Sequence, residues 1–294
     1  MKNSQTFYSN IGYFVGMMFP TLVLFGIFSY VITDTAFLSL FDWDGLSPKS
    51  FVGLKNYLRL VSDYRFLRSL WNIAVLIMTT LVFQVGIGIA LAFFLTDLRF
   101  SFASFFKSII FMPVVISNVA VSLYFLTLYD YQNGTLNTLL KAMGFDRINF
   151  LGLGLKTIYF AIIPQTWQYI GLMFIIAYTA FTTVSQDQLD AARIDGLNSW
   201  QRLVHMFIPI SWSSLSVCFV IALVGPLKSF EHIWIVTTGG GSDQMSHIPG
   251  TLMFNLGFSN YEYGYGSAAA LVILVLAIFL VALFRISNRK RDFS

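Results

Sequence analysis

Charge is scarce along this chain. Asp, Glu, Lys and Arg together make up 11% of the 294 residues, whereas hydrophobic residues make up 56%. A water-soluble domain usually needs about a quarter of its residues to be charged. The composition therefore excludes the soluble globular classes and predicts a membrane protein.

Cysteine and histidine are also rare. Cys218 is the single cysteine, which excludes an internal disulfide. The three histidines are scattered without the spacing of metal ligands, and no G-x-x-x-x-G-K-[ST] motif for nucleotide phosphates occurs. We therefore expect no catalytic residue, no cofactor and no metal site in this chain, which argues against a membrane enzyme.

Six apolar runs are long enough to cross a hydrocarbon core about 30 Å thick, which takes about 20 residues in a helix. Barrel strands would instead be short and would alternate apolar with polar residues. We therefore predict an all-α membrane protein that forms a single transmembrane domain over residues 1–294. Its six transmembrane helices are expected at about 11–32, 69–95, 108–129, 157–184, 211–232 and 263–284.

The distribution of basic residues predicts the orientation of the spans. The tail after the sixth span carries Arg285, Arg289, Lys290 and Arg291, whereas residues 236–262 contain no Lys or Arg. Basic residues are enriched on the cytoplasmic side of membrane proteins. We therefore expect both termini in the cytoplasm, together with the loop between the fourth and fifth spans.

That loop, residues 185–210, contains signals for two short helices. Ser185 is a suitable N-cap, and Gln188 three residues later completes a capping box. Gly196 is expected to end the first helix. A second helix is expected to start after Ser199 as N-cap, and Pro209 is tolerated in the first turn of the fifth span.

The first of these helices has the chemistry of a docking surface. Ala191 and Ala192 would allow another backbone to approach closely, and Asp190, Arg193 and Asp195 offer charges for pairing. An ordinary helical hairpin that joins two spans would show the same local pattern. The residues alone leave both interpretations open.

The spacing in this loop resembles the cytoplasmic signature of binding-protein-dependent ABC importer permeases. The signature is an acidic residue before two alanines, a glycine four residues later, and an apolar segment that ends in proline. Here it consists of Asp190-Ala191-Ala192, Gly196, Met206 and Ile208-Pro209. The departures are Asp190, where the family usually has glutamate, and Met206 and Ile208, where isoleucine and leucine are usual.

Further segments are similar to the carbohydrate branch of that family, the maltose-transporter permeases of the six-span type. They are Phe51–Tyr57 before the second span, Met112-Pro113 in the third, and Thr237–Gly241 after the fifth. The resemblance extends from about Phe19 to Phe284. Their order along the chain makes the resemblance specific.

The resemblance implies a subunit of an importer in a prokaryotic cytoplasmic membrane. The implied partners are a second homologous permease, two ATPase subunits that hold ATP and Mg, an extracytoplasmic substrate-binding protein, a carbohydrate and membrane lipid, but no nucleic acid. The motif from Asp190 to Gly196 would then dock in a cleft of an ATPase subunit and couple ATP binding to the spans.

Two alternatives to sugar import stay open. An importer of a polyol phosphate such as glycerol phosphate would use the same architecture, although no intramembrane arginine cluster favours a phosphate. An ion-coupled secondary transporter would usually need carboxylates within its spans, and the span interiors hold no Asp or Glu.

The fourth span carries the candidate substrate path. Gln165, Gln168, Tyr169 and Leu172 share one helix face, and amide and phenol groups suit sugar hydroxyls. Glutamines in a span also serve as hydrogen bonds between helices, which is the other interpretation. Weaker candidates for the same path are Asn118 in the third span and Ser229 near the end of the fifth.

Two local features are predicted for the outer side. Lys228 and Glu231 lie three residues apart and are expected to form an ion pair. Between the first two spans, apolar residues at helical spacing predict a short helix along the outer interface; they are Leu54, Tyr57, Leu58 and Val61.

Overall fold

The computed structural model describes residues 2–97, 102–241 and 243–288. Arg289, Lys290 and Arg291, on which part of the predicted orientation depends, lie outside the described residues. Almost all of the described secondary structure is helical, as the apolar runs predict. The β-structure of the described residues consists of one short antiparallel pair of strands, Phe41–Asp42 and Ser50–Phe51.

The helices follow one another with short connections. The α-helices are Lys2–Leu38, Lys55–Ser62, Tyr64–Thr79, Gly86–Asp97, Ala103–Val115, Asn118–Leu128, Thr135–Ala142, Thr157–Phe181, Gln186–Ile194, Ser199–Arg202, Ile208–Ile210, Trp212–Val224, Glu231–Val236, Pro249–Phe254 and Tyr263–Asn288. The π-helical turns are Thr80–Val85, Leu203–Phe207 and Asn255–Ser259, and the 3-10 turns are Gly154–Lys156 and Gly225–Lys228.

The described helices provide four spans, or up to six if each of two bent helix pairs is counted as one span. Four are long and apolar enough to cross a membrane: Gly16–Leu38, Tyr64–Asp97, Gly154–Phe181 and Tyr263–Ile286. We call these spans 1, 2, 4 and 6. The bent pairs are Ala103–Val115 with Asn118–Leu128, which we call span 3, and Ser199–Ile210 with Trp212–Lys228. We call the part of the chain from Trp212 to the end of the helix Glu231–Val236 span 5.

The sequence prediction of a continuous span 3 over 108–129 is wrong. Its two helices meet at an angle of 89°. The backbone at Ile116 and Ser117 is extended, so the helical hydrogen bonds are interrupted there. The Nε2 of Gln168 donates to the Ile116 carbonyl at 2.7 Å and thereby satisfies a group released by the break.

Span 5 is also interrupted, contrary to the prediction of one helix over 211–232. The helix Trp212–Val224 passes into a 3-10 turn at Pro226, which has no N–H to donate, and Ser229 is extended. The chain then becomes helical again at Glu231. Lys228 and Glu231 therefore lie on different helices, and the ion pairs of the described residues do not include the predicted one.

Span 4 lies at the centre of the fold. Its first half, with Ile158 and Ile162, packs in a core cluster with spans 2, 3 and 5. Its second half, with Phe174 and Phe181, packs in another cluster against span 2 and the loop 185–210. This position brings one helix into contact with both the membrane interior and the loop.

The short outer helix Lys55–Ser62 forms as predicted, but it buries a different face. Leu54, Leu58 and Val61 are exposed, whereas Asn56 and Leu60 are buried. Asn56 Nδ2 donates to two backbone carbonyls at 2.9 Å, which fixes the helix to the preceding turn. Of the predicted apolar stripe, three residues therefore face away from the protein, whereas Tyr57 is partly buried and its hydroxyl lies 2.7 Å from Ser39 Oγ.

Span 2 and span 4 approach each other closely at a glycine. A Cβ added at Gly88 would lie 2.7 Å from Met173 Cβ and 2.8 Å from the Phe174 backbone nitrogen. Backbone atoms cannot rotate away, so Gly88→Ala should force the helices apart. We expect it to lower the free energy of unfolding by about 1–3 kcal/mol, measured by thermal unfolding in detergent.

Gly86→Ala is the matched control, because a Cβ at Gly86 meets no heavy atom of the described residues within 4 Å. We expect this variant to unfold at the wild-type temperature or slightly above it, since alanine is the better helix former. Equal unfolding temperatures for the two variants would contradict the close packing of spans 2 and 4.

Candidate coupling surface and substrate cavity

The first helix of the loop, Gln186–Ile194, is capped at both ends by local hydrogen bonds. Gln188 N–H donates to Ser185 Oγ at 3.3 Å, and Ser185 N–H donates to Gln188 Oε1 at 3.1 Å. Gly196 has φ +77°, which favours glycine, and Leu197 N–H donates to the Ala192 carbonyl at 3.0 Å. The predicted capping box and glycine stop are both confirmed.

The second helix begins one residue earlier than predicted. Asn198 is the N-cap: Gln201 N–H donates to its Oδ1, and Asn198 N–H donates to Gln201 Oε1, both at 2.9 Å. The placement of Pro209 in the first turn of span 5 is also wrong. Pro209 lies in Ile208–Ile210, before an 87° bend that separates the loop helices from span 5.

The predicted docking residues are divided between the surface and the core. Asp190, Ala191, Arg193, Asp195, Gly196 and Pro209 are exposed. Ala192 is buried beside Leu189 against the membrane helices, so it contributes to packing instead of to an open surface. The loop helix thus has one apolar face toward the protein and one polar face away from it.

Two large apolar side chains extend the exposed face and were missed in the sequence. Ile194 is 86% exposed and Trp200 is 70% exposed. Their signal was present: each is a large apolar residue in a short polar segment, where solvent alone would not favour it. We call Asp190, Ala191, Ile194, Asp195, Gly196 and Trp200 the coupling surface.

Charges around the coupling surface are partly paired within the chain. Arg193 Nη1 and Gln186 Nε2 donate to Asp190 Oδ1 at 3.2 and 3.1 Å. Arg193 Nη2 also donates to the carbonyl of Asp97, the last residue of span 2, at 3.1 Å. Arg193 therefore holds the loop against the protein, a contact that the sequence did not predict.

The second loop helix is fixed to the spans by packing and by an ion pair. The ring of Phe207 lies between those of Phe93 on span 2 and Phe181 on span 4, with centroid distances of 5.3 and 5.1 Å. Arg202 forms a buried ion pair with Asp97. Hydrogen bonds to Asp97 raise the pKa of Arg202, which stays charged.

A cavity of about 220 Å³ lies between spans 2, 3, 4 and 5. Five of the six residues predicted for the substrate path line it: Asn118, Gln165, Tyr169, Leu172 and Ser229. Thr80 and Gln84 of the π-helical turn in span 2 complete its polar wall. We call this space the substrate cavity.

Hydrogen bonds orient the polar wall. Tyr169 Oη donates to Asn118 Oδ1 at 2.9 Å, which joins span 4 to the second half of span 3. Ser229 Oγ donates to Gln165 Oε1 and joins span 5 to span 4. With Thr80 and Gln84 of span 2, the wall is therefore assembled from residues on four spans, and the interruptions of spans 3 and 5 lie beside Asn118 and Ser229.

Gln168 does not line the cavity. It is fully buried, and its amide connects two broken spans: Nε2 donates to the Ile116 carbonyl at 2.7 Å, and Oε1 lies 2.6 Å from His232 Nε2. Gln168 therefore has the second of the two roles considered for the glutamines of span 4, because it forms hydrogen bonds between helices. Gln168 supports the cavity from behind.

Charged groups in the cavity wall were also missed. Lys228 and Glu231, which the sequence predicted as an ion pair, both line the cavity beside His232. The interruption of span 5 at Ser229 directs them there. Among the described residues, no group of His, Cys, Asp or Glu has an arrangement suited to a metal ion.

Comparison with known proteins gives consistent matches along the chain. Residues 84–292 match the family described as binding-protein-dependent transport system inner membrane component. The probable ABC transporter permease protein YurN of Bacillus subtilis (strain 168) is 34% identical over 266 residues, which cover 89% of this chain and 90% of YurN.

Two further matches cover nearly the full length. The multiple sugar-binding transport system permease protein MsmF of Streptococcus mutans is 27% identical and is matched over 94% of both chains. A chain of a bacterial alginate ABC transporter, solved with an alginate pentasaccharide-bound periplasmic protein, has a TM-score of 0.81, 22% identity, and coverage of 94% of this chain and 93% of its own. At that identity the structural match establishes the fold.

The buried amide of Gln168 should contribute to stability. Gln168→Leu would leave the His232 ring and the Ile116 carbonyl without their partner, which costs about 1–3 kcal/mol for a buried group. We expect a lower unfolding temperature in detergent. Gln132→Leu, which alters an exposed glutamine between spans 3 and 4, is the control and should leave it unchanged; an equal decrease would argue against the connection through Gln168.

Proposed function

The chain belongs to the family of binding-protein-dependent transport system inner membrane components, and on this basis we propose that it is the permease subunit of an ATP-driven importer of sugars or oligosaccharides. It is a multi-pass protein of the inner membrane. Membership of this family argues against the alternative function, an ion-coupled secondary transporter. The sugar assignment is supported by the name of MsmF and by the chemistry of the substrate cavity.

The cavity wall is suited to a carbohydrate. Asn118, Gln165 and Ser229 offer uncharged hydrogen-bonding groups for hydroxyls, and Tyr169 offers an aromatic ring that would cover the C–H face of a sugar. Leu172 adds an apolar surface. Gln168 acts indirectly, by holding spans 3 and 5 in the positions that form this wall.

Transport requires partner chains. The sequence has no phosphate-binding loop, so ATP and Mg would be held by two ATPase subunits, and this chain would carry out no catalysis. A second, homologous permease would supply the other half of the path. An extracytoplasmic binding protein would deliver the sugar, consistent with the periplasmic protein in the alginate transporter structure.

The coupling surface is the proposed contact with an ATPase subunit. Its helix is capped at both ends and packed on spans 2 and 4, so it would move as a rigid body when the ATPase subunits close on ATP. Both termini would lie on the cytoplasmic side with this loop. By linkage, a loaded binding protein on the outer side would favour the ATPase-closed state.

Uptake by the reconstituted complex tests the function. We expect proteoliposomes that contain this chain, its partner permease and the ATPase subunits to accumulate labelled oligosaccharide when ATP and the loaded binding protein are both supplied. Omission of either one should abolish uptake. Accumulation driven by an ion gradient without ATP would contradict the proposal.

Ile194 offers a direct test of the coupling surface. It is 86% exposed on the helix Gln186–Ile194, so Ile194→Asp should leave the fold intact while placing a charge in the ATPase interface. We expect at least about a tenfold loss of ATPase association and of uptake, as for an apolar hot spot.

The matched control is Met143→Asp. Met143 is 72% exposed and lies in the connection between spans 3 and 4, at the opposite end of the spans from the coupling surface. This variant should bind the ATPase subunits as the wild type does. Normal ATPase binding by Ile194→Asp would remove Ile194 from the interface.

A further inference from the structure

Asp97 ends span 2 in a buried contact with the loop. Arg202 Nε donates to Asp97 Oδ1 at 3.0 Å, and Arg202 Nη2 donates to Oδ2 at 2.6 Å. The Arg202 and Asp97 side chains are only 12% and 2% exposed. The two parallel hydrogen bonds fix the orientation of the guanidinium against the carboxylate as well as its distance.

The same contact gathers both helices of the loop. Arg202, on the second helix, also donates from Nη1 to the carbonyl of Leu197 in the connection between the helices, at 2.6 Å. Arg193, on the first helix, donates from Nη2 to the Asp97 carbonyl at 3.1 Å. A displacement of either loop helix is therefore a displacement of Asp97.

Span 2 leads from Asp97 to the substrate cavity. Thr80 and Gln84, which line the cavity, lie on the same helical segment as Asp97, about 25 Å and about 20 Å away, respectively, along the helix axis. Both residues occupy the π-helical turn of span 2, a type of irregularity that is frequent at functional sites. Gln84 Nε2 also donates to the Gln165 carbonyl at 3.0 Å, so span 2 is joined to the opposite wall.

The apolar contacts of the loop differ in kind from this ion pair. Packing of Phe207 between Phe93 and Phe181 stabilises the loop by burying apolar surface, but it includes no charged hydrogen bond. A buried ion pair adds little net stability compared with apolar residues of the same volume, whereas its geometry is specific. The pair of Asp97 and Arg202 thus contributes more to the orientation of the loop relative to span 2 than to the stability of the fold.

We propose that Asp97 and Arg202 are positioning residues that transmit the movement of the coupling surface to span 2, and through it to the substrate cavity. The inference rests on the proposed import function and adds the mechanical connection between its two sites. Without the pair, the ATPase subunits would still dock and hydrolyse ATP, but the movement would be lost between the loop and the span.

The number of sugar molecules imported per ATP hydrolysed measures this connection. In proteoliposomes that contain the full complex and its binding protein, we expect Asp97→Asn to assemble and hydrolyse ATP while its import-to-hydrolysis ratio falls at least about tenfold, within the usual range of coupling between sites. Arg202→Lys keeps the charge but loses the fork of two hydrogen bonds, and its ratio should fall as well.

Asp63→Asn is the matched control. Asp63 forms the other partly buried Asp–Arg pair, with Arg65 at 3.1 Å, at the opposite end of span 2. Its ratio should equal that of the wild type. Because asparagine is also a good N-cap, the start of span 2 should be preserved.

An unchanged ratio in Asp97→Asn, or a proportional loss of import and hydrolysis, would overturn the proposal. If Asp97→Asn fails to assemble, Arg202→Lys decides by the same ratio; failure of both to assemble would assign the pair to assembly and also overturn it. Absence of import by the wild-type complex would instead contradict the proposed function, so the two failures are distinguishable.

Discussion

The need to satisfy backbone polar groups inside an apolar environment governs this structure. Two spans break at the level of the substrate cavity, and each break releases groups that no water in a bilayer core would satisfy. Gln168 satisfies the Ile116 carbonyl at the break in span 3 and also contacts the His232 ring, so one amide connects the segments that follow both interruptions. The cavity lies beside these breaks, and the break in span 3 is tolerated because Gln168 of span 4 supplies a donor to the Ile116 carbonyl.

Two kinds of interaction shape the loop 185–210: local hydrogen bonds cap its helices, and contacts with distant residues hold it against the spans. Its caps at Ser185, Asn198 and Gly196 are formed by residues within a few positions of one another. Its seat on the membrane helices depends on Phe207, Ala192 and Arg202, which contact residues far away in the chain. A capped helix with one face anchored to the spans and the other face exposed has the rigidity that the proposed docking to an ATPase subunit requires.

Several features of the fold and site could be predicted because they have local causes. Long apolar runs identify spans, and the capping box at Ser185 identifies a helix start. Helical spacing alone places Gln165, Tyr169 and Leu172 on one face of span 4, and all three line the cavity. Asn118 of span 3, which also lines it, was predicted from its polarity within an apolar run. The break at Ile116 was not predicted, because its nearby signals, Pro113 and the polar pair Ser117-Asn118, are also tolerated in continuous transmembrane helices. The expected pair of Lys228 and Glu231 failed for a related reason: the spacing rule assumes one helix.

The amino-acid sequence alone determined the membrane class, the largely helical fold, the capped helix at Gln186–Ile194 and the family resemblance, because hydrophobicity, capping and motif spacing are properties of neighbouring residues. Tertiary structure decided that Gln168 lies behind the cavity instead of in its wall, that Ala192 is buried and Ile194 exposed, and that Asp97 meets Arg202. The last two residues are 105 positions apart. Contacts of that kind depend on how the spans cross and where they break, and the periodicity of a single helix carries no information about either.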